Sequence, residues 1–348
     1  MESSETTPRA ATTSKAVGDI WYICHGILGT AVEVFGVVGN VMSIAVLVHP
    51  DMRSSTGILL TSLAVYDIIV LTSYLFLLSM DQIFQHTRVY ANFLTDLHQP
   101  TYPVWYSMSS IAFMGSSYTT LAISIERLIV VTFPLKASAW CTESRAKAAV
   151  ILIFIFSALY NIPRYLVFSI VPSWDEATQK NEISLERTEF SKTYFFKAVY
   201  SVTMNITIKV FLPLTVLAVS SCFMIRAVRR TGMVRRNLQG GGLGSNHSKF
   251  SAMVVAVMVF SMTSLLTGAM EVILLRINDQ QFQTADDCEV VCAAVSAVSE
   301  LMAILNSGIN FLLFCVFGSK FREVFRRRFC KRREMAARNS RSYTMSLS

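Results

Sequence analysis

Seven stretches of the chain stay apolar long enough to cross a bilayer as helices, which takes about 20 mostly apolar residues each. They run over roughly Ile27–Val48, Ile58–Met80, Pro103–Val131, Ala146–Val171, Ala198–Ile225, Phe250–Ile277 and Val290–Phe317. The period-two alternation of a membrane barrel is absent. Backbone polar groups in lipid must be satisfied internally, so the pattern predicts helices. The fold class is an all-α membrane protein: a seven-transmembrane helix bundle over 27–317, an outer tail over 1–26, and a short amphipathic helix with a tail over 318–348. Met1–Asp19 is polar and rich in Ser and Thr, without the apolar core of a signal peptide, so span 1 is expected to act as its own insertion signal.

Composition agrees with this reading. Of 348 residues, 53% are hydrophobic and only 16% charged, against roughly 25% charged in soluble domains. That excludes disorder and a nucleic-acid-binding domain in spite of the net charge of +8. The surplus Lys and Arg gather beside the connections between spans 1–2, 3–4 and 5–6 and after span 7. Asp81, Asp175, Glu186 and Asp287 lie on the opposite side. Cations mark the cytoplasmic face, which puts the amino terminus outside and the carboxyl terminus inside a multi-pass plasma-membrane protein. The glycosylation patterns at Asn205 and Asn246 fall in span 5 and an inner loop and are chance matches. Gly240, Gly241, Gly242 and Gly244 lack the Lys-Ser/Thr of a phosphate loop and read as a hinge.

Polar residues inside the spans carry the functional signal, because an intramembrane charge is costly and functional by default. Span 1 has Asn40 and span 2 has Asp67. Span 3 ends in Glu126-Arg127-Leu128 ahead of Pro134. Span 5 contains Pro213, and span 7 carries Asn306, Asn310 and Phe314 before Phe317-Gly318-Ser319-Lys320-Phe321-Arg322. An acid in mid-membrane needs partners, and Asn side chains on other helices can supply them.

In order and placement these residues resemble the rhodopsin-like G-protein-coupled receptors over nearly the whole chain. The resemblance implies that Glu126 and Arg127 face the G protein. It also implies that Asn40, Asp67, Asn306 and Asn310 line a buried polar site that often holds sodium in the family; no other cofactor is expected. The chain departs from the family pattern at several points. Leu128 follows the Arg, and Ile153 stands about where span 4 usually has Trp. Span 6 lacks its Trp and Pro, and Asn310-Phe311-Leu312-Leu313-Phe314 replaces Asn-Pro-x-x-Tyr. Kinks in spans 6 and 7 must then come from Gly268, Gly308 or Ser/Thr pairs.

Five local runs are similar to the invertebrate FMRFamide and myosuppressin group of peptide receptors. They are Tyr102-Pro103-Val104-Trp105-Tyr106, Pro134-Leu135-Lys136-Ala137, Trp140-Cys141-Thr142, Tyr160-Asn161-Ile162-Pro163-Arg164 and Leu305-Asn306-Ser307-Gly308-Ile309-Asn310-Phe311. The implied ligand is an amidated peptide of RFamide type, and the implied partners are heterotrimeric G proteins and arrestin-like regulators. Lys209, Glu271 and Glu300, in or near the outer halves of spans 5, 6 and 7, are candidate ligand contacts, with Trp105 and Ser109 of span 3. Acids there suit a basic peptide end. By the resemblance, Ser109 stands where an amine receptor has its ammonium-binding Asp, so an amine ligand is disfavoured. Scattered His residues and the lack of a nucleophile motif argue against an enzyme. A ligand-independent or non-peptide receptor, and behind it a channel or transporter, stay open as alternatives.

The disulfide that most of this superfamily has between span 3 and the second outer loop is missing, since 172–197 contains no Cys. Cys24, Cys288 and Cys292 face the oxidising side. Cys24 lies about 24 Å outward of Asn40 and Cys292 about 27 Å outward of Asn310, which suggests a bridge from Cys24 to Cys288 or Cys292. At the other end, Phe317, Phe321, Val324, Phe325 and Phe329 recur at helical spacing among Arg326, Arg327 and Arg328. That pattern predicts a helix lying on anionic membrane lipids, with Cys330 placed for palmitoylation. Ser340, Ser342, Tyr343, Thr344, Ser346 and Ser348 follow as phosphorylation candidates.

Overall fold

A computed structural model describes residues 8–87, 97–175, 180–237, 244–281 and 286–330. Seven helical spans form one bundle. Span 1 is helical through Pro8–Trp21, widens to a π-helix over Tyr22–Gly29 and continues as Thr30–Leu47. Span 2 is Ser55–Tyr74, π-helical Leu75–Ser79, then Met80–Thr87. Span 3 is Gln99–Thr132 and span 4 Glu143–Tyr160. Span 5 is π-helical over Phe195–Phe211 and α-helical over Leu212–Asn237. Span 6 is Gly244–Gln281, and span 7 is Asp286–Gly308 followed by Asn310–Phe317.

Local chemistry sets several of these boundaries. The Ser54 hydroxyl caps span 2 by accepting from the Gly57 N–H at 3.0 Å, and Thr142 caps span 4. Pro134 opens the next short helix, Pro134–Trp140, two residues past the end of span 3.

Five of the spans are by themselves long and apolar enough to cross a membrane. Span 3 is diluted by its Ser and Thr residues, most of them buried at the bundle centre. Span 4 begins with Glu143, Arg145 and Lys147. The surface is inverted relative to a soluble protein. Ile151, Leu152, Phe154 and Ile155 of span 4 face outward, while Ser157 on the same helix and Asn161 just past its end are fully buried. Lipid solvates such an apolar exterior, and the polar side chains turn inward to hydrogen-bond one another.

Small residues let the spans approach closely. A Cβ on Gly36 would sit 2.8 Å from the Gly308 Cα, and one on Gly115 would fall against the buried Tyr66 ring. Leu63, Leu71, Met114, Leu217, Met258 and Phe314 fill the space between the spans.

Two expectations are corrected. Span 4 ends at Tyr160 rather than Val171, because the Pro163 turn ends it and the apolar run beyond is a strand. Phe168–Asp175 pairs antiparallel with Lys180–Arg187, with Phe168 opposite Arg187. Phe168, Ile170 and Val171 favour a strand, and their run follows closely on the apolar residues of span 4. The second correction concerns kinks. Span 6 runs unbroken past Gly268, whereas span 7 does break, at Ile309 beside Gly308.

After span 7, Ser319–Phe325 continues into π-helical Arg326–Cys330, with Phe321 and Val324 buried. The Arg328 guanidinium donates to the Ala45 carbonyl of span 1. The Cys330 side chain and the hydroxyls from Ser340 onward lie outside the described residues.

Candidate functional site

Three polar centres lie along the bundle axis. In the middle, Asp67 is wholly buried. Its carboxylate accepts from the Ser116 hydroxyl of span 3 at 2.8 Å and from the Asn310 amide of span 7 at 2.6 Å. Asn40 donates to the Gly36 carbonyl of its own helix at 2.9 Å and to the Ser307 carbonyl of span 7 at 3.0 Å. Asn306 accepts from the Ser261 hydroxyl of span 6 at 3.1 Å. The four residues singled out from the sequence thus tie spans 1, 2, 3, 6 and 7 together at one level. An unpaired buried carboxylate costs several kcal/mol, and these charge-assisted bonds offset part of that cost.

At the end of span 3, the Arg127 guanidinium lies 3.7 Å from Glu126 Oε1. The same oxygen accepts from the Thr56 hydroxyl of span 2 at 2.6 Å. The tighter partner of Glu126 is therefore Thr56, which sequence reasoning missed. Arg127 borders a cavity of about 320 Å³ with Leu60, Phe314 and Phe317.

The third centre is a cavity of about 310 Å³ at the hairpin end. Of the five residues expected there, Ser109, Lys209, Glu271 and Glu300 line it. Trp105 is corrected: it is not among the lining residues, and its ring stacks on Phe76 at 4.7 Å. The Ser109 hydroxyl turns back to the Tyr106 carbonyl at 2.9 Å.

The cavity walls carry opposite charges. Glu271 and Glu300 come from spans 6 and 7. Ser296 and Ser299 stand within hydrogen-bonding reach of Glu271, and Glu300 lies 3.3 Å from the buried His25 ring of span 1. Facing them, Lys209 donates to the Ser110 hydroxyl at 2.6 Å and the Asn161 side-chain carbonyl at 2.8 Å. Arg164 lies over the Tyr106 ring at 5.0 Å. Arg164 was visible in the Tyr160–Arg164 run but not singled out. Its signal is an Arg immediately after the Pro163 that ends span 4.

A model of the rhodopsin family of seven-transmembrane receptors matches residues 39–314. The chain belongs to that family. Its members are receptors rather than enzymes.

Among relatives, this rhodopsin-family chain is 29% identical to a Drosophila melanogaster FMRFamide receptor over 90% of its own length and 55% of the relative's. It is 22% identical to a Caenorhabditis elegans FMRFamide peptide receptor over 83% of its length and 65% of that protein. A Gallus gallus thyrotropin-releasing hormone receptor is 32% identical over 36% of this chain and 30% of its own. The chain thus spans about half to two thirds of the length of the FMRFamide receptors it matches.

In this rhodopsin-family bundle an aromatic contact ties the hairpin to span 3. Phe168 at the base of the hairpin meets the Tyr102 and Tyr106 rings edge-on at 5.4 and 5.3 Å. The bridge expected from Cys24 is corrected, since Cys24 is a free thiol. Spans 1 and 7 run parallel, with Gly29 against Ile304 and His25 against Glu300. That register sets Cys24 level with about Ser299, roughly 10 Å along the helix from Cys292 and farther from Cys288. A disulfide tolerates Cα separations up to about 7 Å. Equating the depths of Asn40 and Asn310 had concealed the offset.

Proposed function

We propose that this receptor sits in the plasma membrane with its amino terminus outside. It binds the basic, amidated end of an RFamide-type peptide in the hairpin-end cavity and signals to heterotrimeric G proteins at the Arg127 end. The observation that carries the reading is the pair of carboxylates, Glu271 and Glu300, on one wall of that cavity. A guanidinium entering between them meets charge of the right sign in a place largely shielded from bulk water. The names of the two FMRFamide receptors point to the same ligand class, and the basic residues concentrated at the Arg127 end support the orientation. Glu271→Gln and Glu300→Gln should each lower the potency of Phe-Met-Arg-Phe-NH2 about tenfold or more at normal surface expression. Unchanged potency in both would refute the assignment.

The ligand atoms around Asp67 are hard oxygens, a carboxylate and the Ser116 hydroxyl, and the buried Asn40 Oδ1 has no donor among the described residues. Such a set fits a small cation, so Asp67 and Ser116 would hold sodium, which there neutralises the buried charge. Replacing sodium by N-methylglucamine should change peptide affinity in the unaltered receptor and not in Asp67→Asn. Equal behaviour of the two would remove the ion from the account.

A further inference from the structure

The acids account for only one wall of the cavity. On the other, Lys209 is buried and Arg164 lines the same space, yet neither forms an ion pair with a carboxylate among the described residues. Lys209 spends two of its three N–H donors on the neutral Ser110 and Asn161. The Arg164 Nε is buried and has no acceptor among the described residues, and Tyr200 is within hydrogen-bonding reach of the guanidinium. A buried lysine ammonium and a guanidinium with a buried Nε, with donors to spare and no carboxylate in ion-pair range among the described residues, are costly unless something accepts from them.

We infer that Arg164 and Lys209 form a subsite for the carboxyl end of the peptide ligand, seating a terminal carbonyl or carboxylate oxygen opposite the acids that take its guanidinium. The inference rests on the peptide reading above. In a peptide ending Arg-Phe, the guanidinium and the terminal group belong to neighbouring residues, which suits a small cavity with walls of opposite charge. Charge-assisted bonds from a cation to an oxygen are about twice as strong as neutral ones. A carboxylate gains more from them than a carboxamide does.

The test compares Phe-Met-Arg-Phe-NH2 with its free-acid form as competitors of the tritiated amide on membranes bearing the full receptor. Lys209→Met leaves the 2.8 Å bond from Ser110 to Asn161 in place, and Arg164→Gln changes the second cation. Each should weaken the free acid at least tenfold more than the amide, while Lys209→Arg should keep the unaltered ratio. Glu300→Gln acts at the other end and should weaken both peptides by one factor, leaving the ratio alone. Equal effects on the two peptides in both cation variants overturn the subsite without touching the peptide reading. So does a free acid with no measurable binding to the unaltered receptor, because a wall of two cations must accept a carboxylate. If neither peptide binds the unaltered receptor, the peptide reading fails and the subsite falls with it.

Discussion

Removing the Thr56 hydroxyl should raise signalling in the absence of ligand. Thr56 and Glu126 are both buried, and their 2.6 Å bond joins span 2 to span 3 at the Arg127 end. A hydrogen bond to a charged group is worth about 1.5–3 kcal/mol. The Arg127–Glu126 contact, at 3.7 Å, is beyond hydrogen-bonding distance. Thr56 is therefore the stronger restraint on Glu126. If opening this end breaks the bond, losing about 1.4 kcal/mol of resting-state stabilisation multiplies the open population about tenfold. Thr56→Val keeps the branched shape and deletes the donor, whereas Thr56→Ser keeps the donor. Basal calcium and cyclic-nucleotide output, normalised to surface receptor, should rise several-fold in Thr56→Val and stay near the unaltered value in Thr56→Ser. Equal basal output in the two variants would refute the reasoning, most sharply if Glu126→Gln alone raised it.

Gly308→Ala places a methyl 2.8 Å from Val32 Cγ1 and should cost about 1–3 kcal/mol by overpacking the contact between spans 1 and 7; a melting temperature in detergent equal to that of the unaltered receptor would show that the contact relaxes. Cys330→Ser should abolish incorporation of a palmitate analogue, and retained labelling would place the lipid elsewhere. A stop codon directly after Asn339 removes every hydroxyl from Ser340 to Ser348 and should slow agonist-induced internalisation, since each phosphate would add about −1.5 to −2 charge. Internalisation at the unaltered rate would rule out a regulatory role for that tail.

The spans and the mid-membrane polar residues were legible because each obeys a local rule. A long apolar run must be a helix, and Asp67 in such a run must find donors. It finds them in Ser116 and Asn310, the latter already suspected. What the sequence concealed depends on the rotation and depth of one helix against another. The Thr56 bond to Glu126 joins residues 70 positions apart, and nothing in the Ser55-Thr56-Gly57 run distinguishes it from a helix start. The offset of Cys24 from Cys292 needs the register between spans 1 and 7. Trp105 lies one residue from the cavity-lining Tyr106, and a turn of about 100° sends it to Phe76 instead.

Two of the irregular stretches coincide with a side chain that withholds or competes for a ladder bond. Pro213 has no N–H to give the Lys209 carbonyl four residues earlier, and the π-helical stretch of span 5 ends just before it. In span 1 the Thr30 hydroxyl donates to the Gly26 carbonyl at 2.9 Å, where the π-helix gives way to the α-helix. Span 7 bends beside Gly308, whose lack of a side chain lets Val32 and Gly36 press against it. Span 6 has no proline and runs as a single helix over Gly244–Gln281. Its Thr263 and Thr267 hydroxyls fold back on the Val259 and Ser264 carbonyls without interrupting the helix. A helix without a break carries a displacement from the Glu271 end to the other as a rod does, and it has no hinge of its own. Span 7 has one, and the break is bracketed by Asn306, tied to Ser261 of span 6, and Asn310, tied to Asp67 of span 2. With no proline in either helix, the bend between the hairpin-end cavity and the Arg127 end lies in the span whose two asparagines hold its neighbours on either side of the break.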